Sequence, residues 1–198
     1  MSRAPKPLTG FAPAVILASA SPRRKELLSR LLTAYTVVVP AVDEDFPAGL
    51  SPAAVGYLLA LRKAEAVATD YADAVVIAAD TLVWLGGKVL EKPKDEADAA
   101  RMLRSLAGAK HRVVTGVAVL FKGRCAAGAA TASVRISAMT PRQIRDYIAD
   151  CRPLDKAGAY GVQDIAPYAK VRVRGDLTTV VGLPLALTRR LIEKVTKK

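Results

Sequence analysis

"AVILASASPRRKELL", Ala14 to Leu28, runs from an apolar stretch through small residues into Ser-Pro and two adjacent arginines. The run Ala14 to Ala18 fits a buried strand, and Ser21 followed by Pro22 supplies an N-cap and a first-turn proline for a helix. A strand passing through Ser19-Ala20-Ser21 straight into a helix is the opening unit of an α/β fold. At that junction free backbone N–H groups and the positive end of the helix dipole meet at one point. Arg23 and Arg24 stand in the first turn, where the dipole disfavours cations and Asp or Glu would be the stabilising choice. A sequence that breaks the local rule there points to an anion site, and arginine forks match phosphate oxygens in bidentate fashion. Arginines on a solvated face are the alternative, the reading given to Lys25 and Arg30.

Working outward, the alternation continues. "YTVVVP" is a second strand closed by Pro40, and Ser51-Pro52 opens a long helix. "AVVIAAD" (Ala74 to Asp80) is an apolar strand of the kind buried on both faces, and it is expected to end at Asp80. "TLVWLGGKVL" is a hairpin turning at Gly86-Gly87. Asp95 starts a helix that stops at Gly108. "RVVTGVAVLF" and "CAAGAATASVRIS" are two long strands joined around Lys122-Gly123, and Thr140 and Gln143 stand at capping-box spacing. A last helix begins near Pro184.

The chain has 198 residues, 52% of them hydrophobic, which suits one α/β domain over 13–198 preceded by a flexible tail over 1–12. Arg3, Lys6 and "FAPAVILASA" imitate a signal peptide, but Pro13 interrupts the apolar run and "PRRKE" follows at once. Cys125 and Cys151 lack metal-type spacing and His111 is the single histidine, so a Cys/His zinc site is not expected and a reduced, cytoplasmic setting is. His111 is either a lone catalytic base or a surface residue. No segment approaches the ~20 apolar residues of a membrane span. The formal charge of +12 favours anionic partners. The cations are dispersed along the sequence, however, and aromatic residues make up 5%, so stable nucleic-acid binding is not expected.

Several later residues could carry chemistry. Asp80 at a strand end places a carboxylate where open α/β sheets bind ligands, unless it caps an Asx turn. Lys63 lies in an apolar helical stretch, where it snorkels or meets an anion. Lys92 of "LEKPKD" is a loop lysine by pattern alone. "AVDED" (Ala41 to Asp45) clusters three acids that suit Mg²⁺ or a solvated loop. "LDKAGAYGVQ" (Leu154 to Gln163) offers small residues for close backbone approach, with Tyr160 or Gln163 available to read a base edge.

Taken together, "LASASPRRKELL", "AVDE", "LRKAEAVA", "ADTLV", "LEKPKDEADAARML", "VVTGVAV", "PLDKAGAYGVQ" and "VVGLPL" resemble, in order and spacing, the Maf family of nucleoside triphosphate pyrophosphatases. The resemblance spans the chain from about Val15 to the final helix. It implies an inosine-triphosphatase-like α/β fold, with an elongated mixed sheet, flanking helices and a nucleotide cleft. It also implies hydrolysis of a nucleoside triphosphate to the monophosphate and pyrophosphate with a divalent cation, Mg²⁺ or Mn²⁺. Carried over by motif, Asp80 matches the proton acceptor. Ser19, Arg23, Arg24, Lys63 and Lys92 match phosphate-handling residues, and Glu44 is an acid near the metal, with Asp80 its companion ligand. Arg23, Thr81 and Gln163 match the positions that separate substrate branches, and they agree with the branch resembling dTTP/UTP pyrophosphatases. A sister branch acting on 7-methyl-GTP carries an aromatic residue, Gln and Glu there. The resemblance further implies a homodimer, no membrane partner and a nucleotide house-cleaning role linked to cell division. The alternatives are a nucleotide-binding regulator of septum formation without turnover and a pyrophosphatase of methylated purine nucleotides. Two segments depart from the family pattern: Asp164 stands where Gly is usual, and "RVRGDLTT" replaces a stretch that commonly reads Gly-Ser-Tyr.

Overall fold

A computed structural model describes Leu8, Phe11 and residues 13–197. The tail expected over 1–12 therefore lies, apart from Leu8 and Phe11, outside the described residues. The elements are β1 (Val15–Ala18), α1 (Pro22–Ser29), β2 (Thr36–Val38), α2 (Pro52–Ala68), β3 (Val75–Leu85), β4 (Lys88–Leu90) and α3 (Glu96–Leu106). They continue with β5 (Lys110–Phe121), β6 (Arg124–Ile136), α4 (Pro141–Cys151), β7 (Val171–Arg174), α5 (Leu177–Val181) and α6 (Leu185–Thr196). The seven strands hydrogen-bond in the order β2-β1-β3-β5-β6-β7, with β4 paired to β3. β1 runs parallel to β2 and β3, whereas the β3/β4 and β6/β7 pairs are antiparallel. The mixed sheet with its helices is the expected α/β class. Among the described residues, no helix is long and apolar enough to cross a membrane.

Local chemistry accounts for the helix starts. Ser21, Ser51, Asp95 and Thr140 each accept the backbone N–H of the residue three positions on, satisfying a donor that the helix leaves orphaned. At Thr140 both arms of the capping box form: the Gln143 side-chain Oε1 accepts the Thr140 N–H at 2.8 Å. The β3–β4 hairpin turns on Gly86 and Gly87, both at positive φ (56° and 85°), as a two-residue turn of this hand requires.

The chain falls into two compact units. The first comprises the chain up to Asp80, Thr115–Ala130 and the chain from Gly182; the second comprises Thr81–Val114 and Thr131–Val181. In the first unit, α2 lays Ala60, Ala64 and Val67 on Ile16 and Ala18 of β1, Val76 and Ala78 of β3, and Ala118 of β5. Alanines on both sides let the backbones approach. At the tightest point a Cβ added to Gly116 of β5 would fall 1.9 Å from the Gly56 carbonyl oxygen of α2. In the second unit, α3 and α4 pack Met102, Leu103, Leu106, Ile144 and Tyr147 on Val113, Val134 and Ile136.

Two expectations need correction. Asp80 does not end its strand: β3 continues to Leu85 because, past the parallel register with β1 that ends at Ala18↔Ala78, it gains β4 as a new partner from Val83. His111 is not a surface residue but 2% exposed, since strand alternation turns it inward between exposed Lys110 and Arg112. β7 and α5 were not anticipated, because "VRVR" and "LTTVV" are too short to show a period.

Candidate active site

The first unit brings six of the expected site residues into one region. Residues 76, 78 and 80 share one face of β3, and Val76 and Ala78 lie under α2. Asp80 therefore points to α2 as well, just past the last apolar pair. On the helix, Lys63 follows Ala60 and precedes Val67 along the core-facing stripe, so its stem is buried and its ammonium reaches the strand. Lys63 is 7% and Asp80 6% exposed, and Lys63 Nζ donates to Asp80 Oδ1. The same ammonium lies 2.7 Å from Glu44 Oε1. Lys63 is thus no snorkelling lysine but the cation between two carboxylates.

The strand-to-helix junction supplies the arginines. Buried Ser19 accepts from Arg24 through Oγ at 3.2 Å, and Arg24 Nε donates to the Gly182 carbonyl at 2.9 Å. Arg24 is therefore clamped between the end of β1 and the turn before α6. Burial pulls its pKa below the ordinary arginine value; Arg23 adds to that fall, while Asp80 and Glu44 oppose it. The α1 first turn holds no acidic residue, so nothing there offsets the positive dipole end and the two arginines. Arg30 belongs to the solvated set, paired with Glu26 at 2.5 Å. The carbonyl of Gly182 is the contributor that sequence reading missed. "VVGLPL" marked the segment, but nothing local joins it to a residue 158 positions away.

Of the "AVDED" acids only Glu44 reaches this cluster. Asp43 Oδ1 accepts the Asp45 N–H at 2.9 Å, and the Asp45 carbonyl accepts from Arg62. Among the described residues no three His, Cys, Asp or Glu side chains form a metal-holding group. What converges is a pair of carboxylates on one ammonium. That donor set fits a hard divalent cation of the Mg²⁺ type, which takes one or two carboxylates and completes its shell with waters and substrate phosphates.

The remaining expected residues lie in the second unit. Thr81 follows Asp80 on β3 and faces the opposite side of the strand. Lys92 and Gln163 are exposed in loops. Tyr160 does not read a base: it is 6% exposed and its hydroxyl meets His111 Nε2 at 2.7 Å. Desolvation lowers the His111 pKa to about 4 and pushes the Tyr160 phenol upward, so the pair is neutral and structural. Asp164, the departure beside Gln163, is engaged with Lys156, whose Nζ sits 3.7 Å from Asp164 Oδ2 and 2.7 Å from Asp155 Oδ1. Gly161 leaves room for that carboxylate, since a Cβ there would fall 2.3 Å from Asp164 Oδ2.

The dTTP/UTP pyrophosphatase of Moorella thermoacetica is 47% identical over 90% of this chain and 93% of that protein. Its counterpart of the same name from Deinococcus radiodurans is 45% identical over 91% and 92%, and that from a Geobacillus species 43% over 91% and 97%. Among solved structures, the Staphylococcus aureus Ham1 protein aligns over 91% of this chain and 96% of that one, with a TM-score of 0.48 and 15% identity. The family model for Maf-like proteins matches residues 14–195, and the chain belongs to the Maf family.

Proposed function

We propose that this chain is a nucleoside triphosphate pyrophosphatase that hydrolyses dTTP and UTP between the α- and β-phosphates, giving the monophosphate and pyrophosphate. The observation that carries this reading is the buried Lys63 held between Asp80 and Glu44, in the same unit as an Arg24 clamped by Ser19 and Gly182. The substrate assignment is supported by the relatives named dTTP/UTP pyrophosphatase and by the family resemblance, which implies that Arg23, Thr81 and Gln163 are those of the dTTP/UTP branch.

Cleavage of a phosphoanhydride needs charge neutralised and a water aimed in line. Arg23, Arg24 and Lys63 hold the triphosphate; a cation about 4 Å from a phosphate oxygen contributes about 4 kcal/mol at an effective dielectric near 20. Asp80 orients the water and accepts its proton, with its carboxylate held in place by the hydrogen bond from Lys63. A divalent cation, Mg²⁺ or Mn²⁺, carried by Glu44 and Asp80, supplies further charge neutralisation at the phosphate oxygens when bound. Several fixed cations together outweigh the ~10²- to 10⁴-fold that a general base supplies alone.

The test is pyrophosphate release from a panel of ordinary and methylated nucleoside triphosphates, with Asp80→Asn in parallel. Turnover of dTTP and UTP that drops at least about 10³-fold in the variant is expected. Near-full turnover by Asp80→Asn removes both roles from that residue, and release from a methylated purine nucleotide alone overturns the substrate assignment.

A further inference from the structure

Cations that lie apart in the sequence are gathered on one sheet face of the second unit. β5, β6 and β7 are hydrogen-bonded neighbours in that order, and their residues alternate between two faces. Val113, Val134, Ile136, Val171 and Val173 turn toward the apolar core of the unit. The residues out of phase with them, Lys110, Arg112, Ser133, Arg135, Arg172 and Arg174, face the other way, and all five charged ones are exposed. The β6–β7 register sets Arg135 directly opposite Arg172 and Ser133 opposite Arg174. Like charges opposed across strands destabilise a sheet. Among the described residues no carboxylate forms an ion pair with any of the five. The acid nearest in sequence, Asp176, is turned into its own loop, accepting the Thr178 N–H at 2.8 Å and the Thr178 hydroxyl at 2.7 Å.

We infer that this face docks the phosphate backbone of duplex nucleic acid. Four of the five cations are arginines, whose planar forks take phosphate oxygens in pairs. Strand spacing of about 4.8 Å and a repeat of about 6.7 Å between alternate residues spread them over a broad lattice of positive charge. None of the six residues is aromatic, so the face has no platform for unpaired bases, and its contacts are with backbone and independent of sequence. None is apolar either, and stable membrane attachment takes a second, apolar signal beside a basic patch. A second copy of the chain docked face to face here would set these same cations against one another. The inference runs against the expectation of no stable nucleic-acid binding because strand pairing assembles what the linear sequence disperses.

The experiment is fluorescence anisotropy of a labelled DNA duplex of about 20 base pairs with the full chain over a KCl series; if all five cations neutralise a phosphate, log K falls against log[salt] with a slope of about −4.5. The Arg135→Thr, Arg172→Thr, Arg174→Thr triple variant keeps β-forming residues, is expected to melt no lower than the parent, and shows a slope of about −1.8. Its pyrophosphate release from dTTP is expected to be unchanged, and excess dTTP is expected not to displace the duplex from the parent. A slope unaltered in the folded triple variant, or displacement by dTTP, places the binding elsewhere and overturns the inference. Absence of binding at about 100 mM KCl, tighter binding of a single strand, or binding confined to phosphatidylserine vesicles overturns it equally. Duplex binding with no turnover of any nucleotide would leave this inference standing while the pyrophosphatase reading fails.

Discussion

Lys63 does two things at once: it neutralises a buried carboxylate and it joins Asp80 to Glu44. Removing one member of a buried ion pair strands the other charge, so Lys63→Met is expected to lower stability by about 3 kcal/mol in urea denaturation. Turnover of dTTP in that variant should fall at least about 100-fold. Lys63→Met/Asp80→Asn should be less destabilised than Lys63→Met alone, because the stranded charge is gone; equal destabilisation would show that packing, not charge, is what Lys63 contributes. His111 is the other residue whose environment makes a measurable prediction. Its folded pKa of about 4 lies below the ordinary 6.5, so the unfolded chain binds the extra proton between those values. Its stabilising contribution is complete above pH 6.5 and is lost as pH falls toward 4, by at most about 3 kcal/mol. His111→Gln should therefore show a smaller drop in urea midpoint than the parent between pH 7 and pH 4.5.

At the scale of elements, the caps were legible because each rests on residues three positions apart. Ser21, Ser51, Asp95 and Thr140 all accept the predicted N–H, and the Gly86-Gly87 turn forms where the hairpin was expected. The docking of α2 on β5 was not legible. It depends on Gly56 and Gly116, sixty positions apart, meeting back to back with no space for a side chain. Gly116→Ala cannot be absorbed by a rotamer change, since the clash is with backbone. A loss at or above the top of the ~1–3 kcal/mol overpacking range is expected in thermal or urea unfolding. Turnover should fall with it, because α2 carries Lys63. Near-parent stability would mean that the helix can lift from the strand freely.

For the whole molecule, 30 basic against 18 acidic residues leave a net charge of +12. Self-repulsion of that size opposes the compact state. Raising KCl from about 20 mM to about 300 mM shortens the Debye length from about 20 Å to about 6 Å, so the melting temperature is expected to rise. A fall would show that attractive surface pairs such as Arg30–Glu26 and Arg101–Asp98 outweigh the excess.

By itself the sequence determined the strand-to-helix opening, every helix start but that of α5, the hairpins and the motifs of the Maf family. All of these depend on residues within a few positions of one another or on their order along the chain. It also singled out Arg23, Arg24, Lys63 and Asp80 as candidate site residues. Only the tertiary structure decided what each of them touches: Lys63 meets Asp80 across 17 positions, and Arg24 meets the Gly182 carbonyl across 158. Strand register, not composition, sets Arg135 against Arg172 and turns His111 inward. Burial and pairing are properties of neighbours in space, and which residues become neighbours is settled only when sheet order and helix docking bring distant parts of the chain together.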